Sequence, residues 1–170
     1  GGRLVIRANT TAGAGIFNVT GGDVVSGEND GGSGGLVNVR SVIINFSGSF
    51  LATGGNGSVV SCTATRGNAG SGGAINLTGN TTFVFTGFLN ASRGHAGICN
   101  GAGAGTVFMN TTNYLDLRSA IFDMIGNESA GTVALSSDRI NLNNTKIILL
   151  ANDTVELATN LSIKILYNTS

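Results

Sequence analysis

One short pattern recurs five times in this sequence and limits the possible folds more than any other feature. In each copy a glycine is followed, at alternating positions, by two apolar residues. Apolar residues at every second position are typical of a β-strand that buries one face. Five copies predict a repeat protein in which each unit packs on the next. The copies are Gly2–Ile6, Gly35–Val39, Gly73–Leu77, Gly105–Met109 and Gly131–Leu135.

Two more short apolar runs follow every copy, so each repeat is predicted to contain three strands. A glycine-rich stretch of variable length then leads to the next repeat. The predicted second strands are Ile16–Val19, Ile44–Phe46, Phe83–Phe85, Tyr114–Leu117 and Ile140–Leu142. The predicted third strands are Val24–Gly27, Phe50–Ala52, Phe88–Ala91, Ile121–Met124 and Lys146–Leu149.

Three strands per repeat with glycine-rich corners predict an all-β fold, a parallel β-helix solenoid of about five turns. Each turn of such a solenoid lies on the turn before, so equivalent inward residues form ladders. We expect a single domain over residues 1–170, with repeat turns in 1–150 and terminal strands or an arm in 151–170. One ladder is expected to contain Leu4, Val37, Ile75, Val107 and Val133, and the next Ile6, Val39, Leu77, Met109 and Leu135.

The charge balance and the short apolar runs argue against two classes of partner. The net charge is zero, so no basic patch is predicted for binding nucleic acid. The longest apolar run, Ile147–Ala151, is too short to span a bilayer. There are 28 glycines and no proline, which argues against a collagen helix. The sequence opens on a strand pattern, so we expect a mature chain or a fragment.

The asparagines indicate in which cellular compartment the protein is found. Asparagine occurs 20 times, and 13 of these residues begin an Asn-x-Ser/Thr tripeptide, where composition alone would give about four. The tripeptide is the acceptor for N-linked glycans, so the excess predicts a heavily N-glycosylated protein, secreted or on a cell surface. The alternative is that asparagine and threonine merely suit solvent-facing turns. The predicted acceptors are Asn9, Asn18, Asn45, Asn56, Asn76, Asn80, Asn90, Asn110, Asn127, Asn143, Asn152, Asn160 and Asn168.

The strand pattern explains why several acceptors lie among apolar residues. Asn76 stands between two residues of the predicted core, and Asn18, Asn45 and Asn90 have the same arrangement. Successive side chains of a strand point to opposite faces of the sheet. These asparagines are therefore expected to face solvent, where a glycan has room.

The two cysteines, Cys62 and Cys99, fall in the glycine-rich stretches of two successive turns. Adjacent turns lie about 5 Å apart, so loops leaving the same corner bring the two within disulfide distance. An oxidising compartment favours that bond, and a pair of free structural cysteines is the alternative. Two cysteines and one histidine are too few for a tetrahedral metal site.

No set of residues in the sequence predicts catalysis or a cofactor. His95 lies in a loop, without a Ser-His-Asp order or a nucleophile elbow. Asp116 and Asp123 could lie on one turn, but surface solvation is preferred over a glycosidase pair. Glu28–Gly31 offers oxygen ligands for calcium without the nonapeptide of calcium-binding rolls, and Gly101–Gly105 lacks the lysine of a phosphate loop. We expect no enzyme, no metal and no cofactor.

The glycine-led strands, including Gly72-Gly73-Ala74-Ile75, resemble the repeats of right-handed parallel β-helix proteins. That group includes pectin lyases, autotransporter passengers and the polymorphic outer-membrane adhesins that carry Gly-Gly-Ala-Ile motifs. The resemblance covers residues 1–150 and implies a right-handed solenoid. Pectin-degrading members would imply clustered aspartates with a Gly-His-Gly element, where this chain has Arg93-Gly94-His95-Ala96. The resemblance therefore implies the architecture rather than the activity.

These features favour a structural protein. The open ends of a β-helix expose unpaired backbone groups and apolar ladders, which promote head-to-tail stacking. We expect a structural subunit of an extracellular filament or surface coat that assembles with copies of itself. One alternative is a cell-surface adhesin or carbohydrate-binding module that uses loops such as Gly54–Gly73. A polysaccharide lyase is the less favoured alternative.

Overall fold

The computed structural model describes residues 1–24, 29–57, 67–95, 102–126, 131–149, 154–158 and 162–164. Every regular element in these ranges is a β-strand, as the alternating sequence predicts. The strands are β1 (Arg3–Gly13), β2 (Ile16–Asn18), β3 (Leu36–Phe46), β4 (Ser49–Leu51), β5 (Ala74–Phe85), β6 (Phe88–Asn90), β7 (Thr106–Asn110), β8 (Tyr114–Asp116), β9 (Ile121–Asp123), β10 (Thr132–Ser136), β11 (Arg139–Asn141), β12 (Lys146–Ile148), β13 (Thr154–Ala158) and β14 (Ser162–Lys164).

The strands form two sheets in which every described pairing is parallel. In the large sheet β1 pairs with β3 and β3 with β5, and the order continues through β7 and β10 to β13 on one side and through β8 and β11 to β14 on the other. The small sheet has the order β2, β4, β6, β9, β12. We name the stretch from one glycine-led strand to the next a pass. Each pass contributes to both sheets and pairs with the pass after it.

The two predicted ladders of inward residues are confirmed. Leu4 is in register with Val37, which is followed by Ile75, Val107 and Val133 in successive strands. All but the first of these are buried, and Leu4 is half-buried at the end of the stack. The ladder that begins at Ile6 has the same arrangement. Burial of these apolar side chains is the main force that holds the passes together.

An aromatic cluster fills the space between the two sheets in the first three passes. Phe50 is fully buried and lies 5.1 Å from the ring centres of both Phe17 and Phe46 and 5.8 Å from that of Phe85. These separations fall in the range that aromatic pairs prefer. The cluster joins the small sheet, which carries Phe17 and Phe50, to the large sheet, which carries the other two.

The first pass differs from the prediction. Ile16–Asn18 pairs with Ser49–Leu51 in the small sheet, so it is the third strand of its pass and not the second. The second-strand position belongs to the end of β1, where Thr11 lies in register with Ile44. Thr11 is buried and its hydroxyl is 2.7 Å from that of Ser41. A polar residue at this inward position broke the apolar pattern on which the prediction relied.

The glycine-rich stretches were expected to be corner loops of free length, and the described parts are instead two extended arms per pass. The outgoing arm leaves the small sheet (19–24, 52–57, 91–95) and the return arm leads to the large sheet (29–35, 67–73, 102–105). Glycines of the two arms alternate in one hydrogen-bonded column. The column contains Gly32 N–H to Gly22 C=O at 2.9 Å, Gly55 to Gly32 at 2.7 Å, Gly70 to Gly55 at 2.9 Å and Gly94 to Gly70 at 2.9 Å.

Direct contact between the two arms explains why these positions are glycine. A Cβ atom on Gly55 would overlap the carbonyl group of Gly22, and one on Gly70 would overlap that of Gly32. At these glycines the backbone of the outgoing arm packs directly against the backbone of the return arm. Only glycine permits so close an approach.

The last two strands continue the large sheet. β13 pairs with β10 and β14 pairs with β11, both in parallel. The predicted terminal strands therefore add a sixth pass to this sheet.

Candidate functional site

Nine of the 13 predicted glycan acceptors lie in the described ranges, and none of the nine is buried. Asn127, Asn152, Asn160 and Asn168 lie outside those ranges. The exposed acceptors are Asn9, Asn18, Asn45, Asn56, Asn80 and Asn143, and the half-buried ones are Asn76, Asn90 and Asn110.

Local hydrogen bonds fix the side chains of two acceptors on the small sheet. The Oδ1 atom of Asn18 accepts the N–H of Thr20 at 2.9 Å, and that of Asn90 accepts the N–H of Ser92 at 2.9 Å. A backbone N–H can donate only to the oxygen of a side-chain amide. Each bond therefore determines the orientation of its amide and leaves Nδ2, the atom that carries an N-linked glycan, without a hydrogen-bond partner among the described residues.

A third acceptor, Asn56, is held in the same way by the next pass. Its Oδ1 accepts the N–H of His95 at 2.7 Å, and its own N–H donates to Oδ1 of Asp23 at 2.6 Å. Two asparagines that are not acceptors behave differently. The Nδ2 of Asn141 donates to Asp116 at 3.0 Å, and that of Asn144 donates to the Ser119 hydroxyl at 3.1 Å.

In the described strand pairs, no acceptor is in register with an acceptor of the next pass. The described partners of Asn45 are Ala12 and Val84, and those of Asn90 are Leu51 and Asp123. Asn76 and Asn110 likewise face non-acceptor residues on both sides. Asn18 and Asn90 occupy one column two passes apart, which is about 10 Å at the usual strand spacing. This spacing leaves Asn18, Asn45, Asn76 and Asn90 room for a sugar, while Asn9, Asn80 and Asn110 lie along one groove.

The two carboxylates singled out in the sequence, Asp116 and Asp123, bind neighbouring polar side chains and not each other. Asp116 is buried, forms an ion pair with Arg118 at 2.9 Å and accepts the Asn141 amide. Asp123 accepts the Ser92 hydroxyl at 2.9 Å, and that hydroxyl oxygen accepts the N–H of Ile125. The single hydroxyl proton of Ser92 is therefore committed to Asp123. The side chains tie successive passes together at the corners.

Two exposed aromatics were not singled out in the sequence. Phe108 and Tyr114 both point outward and are 38% exposed. Tyr114 lies beneath the guanidinium of Arg139, 5.6 Å from the ring centre, in a groove that also contains Asn113 and Thr82. The available signal was position, because each of the two residues directly precedes an inward residue of its strand.

Several sequence predictions fall on residues that the structure does not describe. Cys62 and Cys99 lie outside the described ranges, so their disulfide stays a prediction, and the same holds for Glu28 in the acidic turn. Asp30 of that turn accepts the N–H of Asn68 at 2.8 Å. Within the described ranges no group of three or more His, Cys, Asp or Glu side chains is placed to hold a metal ion.

Comparison with known proteins gives no match, so a function can be proposed only from the fold and the geometry of the site. No protein-family model matches the sequence, and neither a curated protein nor a solved structure is detectably similar to it. The described part of the chain has no helix that could cross a bilayer.

Proposed function

We propose that this chain is a heavily N-glycosylated structural subunit of an extracellular filament or surface coat, folded as a right-handed parallel β-helix that joins other copies end to end. The observation that carries the proposal is the placement of the acceptor asparagines. The nine described acceptors lie on the outer face of both sheets, on the outgoing arm and, for Asn143, between β11 and β12, and none of the nine is buried.

The β-helix part of the proposal is supported by the parallel pairing of every pass with the next. Six successive strands of the large sheet and five of the small sheet follow the chain order. A chain whose successive repeats add parallel strands to the same two sheets winds around a common axis. The right hand is the one that parallel crossover connections almost always adopt.

The glycan part is supported by the amides of Asn18, Asn56 and Asn90, whose Nδ2 atoms have no hydrogen-bond partner among the described residues. Glycans at these asparagines would extend from the flanks and prevent lateral association of a chain whose net charge is zero. The described acceptors point away from the sheets, so glycans there would leave the free backbone edge of β1 accessible. End-to-end contact is then the available mode of assembly.

The end-to-end part is supported by the surface at β1. Among the described strands only β3 pairs with β1, so one edge of an 11-residue strand keeps its backbone groups free. Leu4, Ile6 and Phe17 are half-buried there, and Ile16 is 71% exposed. Free strand edges flanked by apolar side chains are templates for pairing with another chain.

A second candidate function, carbohydrate binding, is favoured by the groove at Tyr114. An exposed ring beside polar Asn113 and Thr82 resembles the surfaces on which sugar rings stack. Glycan-array binding that is lost in Tyr114→Ala would support an adhesin role. Unchanged binding in that variant would remove this candidate.

Enzymatic deglycosylation in heavy-oxygen water, followed by peptide mass spectrometry, tests the glycan proposal directly. We expect Asn18, Asn56 and Asn90 to be converted to labelled aspartate, because no described residue binds their Nδ2 atoms. Asn141 and Asn144 are matched controls that stay unlabelled, and Thr20→Ala removes the label at Asn18 alone. Unlabelled asparagine at every acceptor of the native protein would contradict the proposal. Electron micrographs of the same material are expected to show filaments or sheets, and dispersed monomers would contradict the structural role.

A further inference from the structure

The two ends of the large sheet match each other in register. Arg3, at the start of β1, heads a column of paired positions that ends five strands later at Thr154 in β13. A second copy that continued this column would place its Arg3 beside Thr154 of the first copy. The same shift places Leu4 beside Val155 and Ile6 beside position 157, so both apolar ladders would continue from one copy into the next.

The outward charges at the two ends are complementary in this register. Arg3 and Arg7 flank Val5 on the outer face of the first pass, and both are exposed. Val5 heads the column that ends at Glu156, which is also exposed. None of these three charged side chains has an ion-pair partner among the described residues. In the continued stack, Glu156 of one copy would lie directly opposite Val5 of the next.

Diagonal neighbours on paired strands are close enough for long side chains to interact. Residues two positions along the facing strand are about 7 Å away, which arginine and glutamate can span. Glu156 would therefore be positioned between Arg3 and Arg7, where no described residue of the isolated chain forms an ion pair with any of the three. A slip of one residue would turn Glu156 inward and separate the charges.

From this match we infer that the free edge of β1 binds β13 of a second copy in parallel, with Thr154 opposite Arg3 and Glu156 held between Arg3 and Arg7. The inference rests on the proposed end-to-end assembly and adds its partner surface and its register. The second strand of the sixth pass continues the same stack, because its Ile163 ends the column that Thr11 begins, with the one-residue register shift that β5 shows beside β3.

Charge reversal tests the register, with the concentration of half-assembly measured by light scattering on protein from one glycosylating host. Glu156→Arg places three like charges together and is expected to raise that concentration about ten-fold at low salt. Arg3→Glu with Arg7→Glu is expected to raise it similarly. The triple variant that carries all three reversals restores complementarity and is expected to assemble as the unaltered protein does. Arg139→Glu, the same substitution as at Arg3 and Arg7 but on exposed β11, which lies between β8 and β14 inside the stack, is the control and is expected to have no effect.

The possible outcomes distinguish a wrong register from a wrong proposed function. If the unaltered protein assembles but the triple variant stays as weak as the single reversal, the register is wrong while end-to-end assembly stands. If the unaltered protein stays monomeric at all concentrations, both are overturned, as they would be if a preceding segment of the same polypeptide occupied the β1 edge. Equal weakening by Arg139→Glu would show a general charge effect and would also overturn the register.

Discussion

Gly55→Ala is expected to lower the free energy of unfolding by about 3 kcal/mol or more, because the new Cβ atom has no room between the two arms. It would overlap the carbonyl group of Gly22 in the preceding pass. Gly55 also donates its N–H to Gly32 and accepts that of Gly70, so moving it disturbs both neighbours. Overpacking commonly costs 1–3 kcal/mol, and backbone has less freedom to yield than a side chain. That loss is a large share of the roughly 5–15 kcal/mol that holds a domain folded.

Gly22→Ala is the matched control for this prediction. Gly22 belongs to the same hydrogen-bonded column, yet a Cβ atom there would meet nothing within 4 Å. Alanine at such a position restricts the unfolded chain and is expected to stabilise the protein by roughly 0.5 kcal/mol. Chemical denaturation of both variants measures the difference. Equal stabilities would show that the arms do not touch.

Phe50→Ala is expected to cost about 3–5 kcal/mol, because it removes the centre of the aromatic cluster and leaves a cavity. The ring is fully buried and contacts aromatic rings on both sheets. Phe46 and Phe85 cannot close the space, since each is fixed to a strand of the large sheet. The loss is measured as the shift in the denaturation midpoint.

Phe108→Ala controls for the loss of a phenyl ring as such. Phe108 also lies in a strand, but it points outward and is 38% exposed. Its removal is expected to cost less than about 1 kcal/mol. A larger loss from Phe108→Ala than from Phe50→Ala would mean that the inward and outward faces are assigned the wrong way round.

The large-sheet ladders could be predicted because their signal is local and repeated. Leu4, Val37 and Ile75 each follow a glycine by two residues, and strand alternation alone then gives their burial. The same alternation predicted that acceptors such as Asn45 face outward. A missing apolar residue at Thr11 was enough to shift the predicted strands of the first pass.

The arms and the amide geometry could not be predicted from the sequence. Glycine has no side chain, so the stretches around Gly22 and Gly55 show no apolar periodicity that would distinguish a loop from two arms packed together. The bond from His95 N–H to Asn56 joins residues 39 positions apart, and its existence depends on which passes lie in contact. A tripeptide pattern identifies an acceptor but not the orientation of its amide.

The central claim, a stack of passes in parallel register, is tested most directly by distances between spin labels at Val5 and at three positions in its own column. Pairing Val5 in turn with Phe108, Ala134 and Glu156 spans three, four and five passes. With unlabelled protein in excess, the backbone separations are expected to be about 14, 19 and 24 Å, a rise of about 4.8 Å per pass. Distances that fail to increase in that order and by that step would contradict the account.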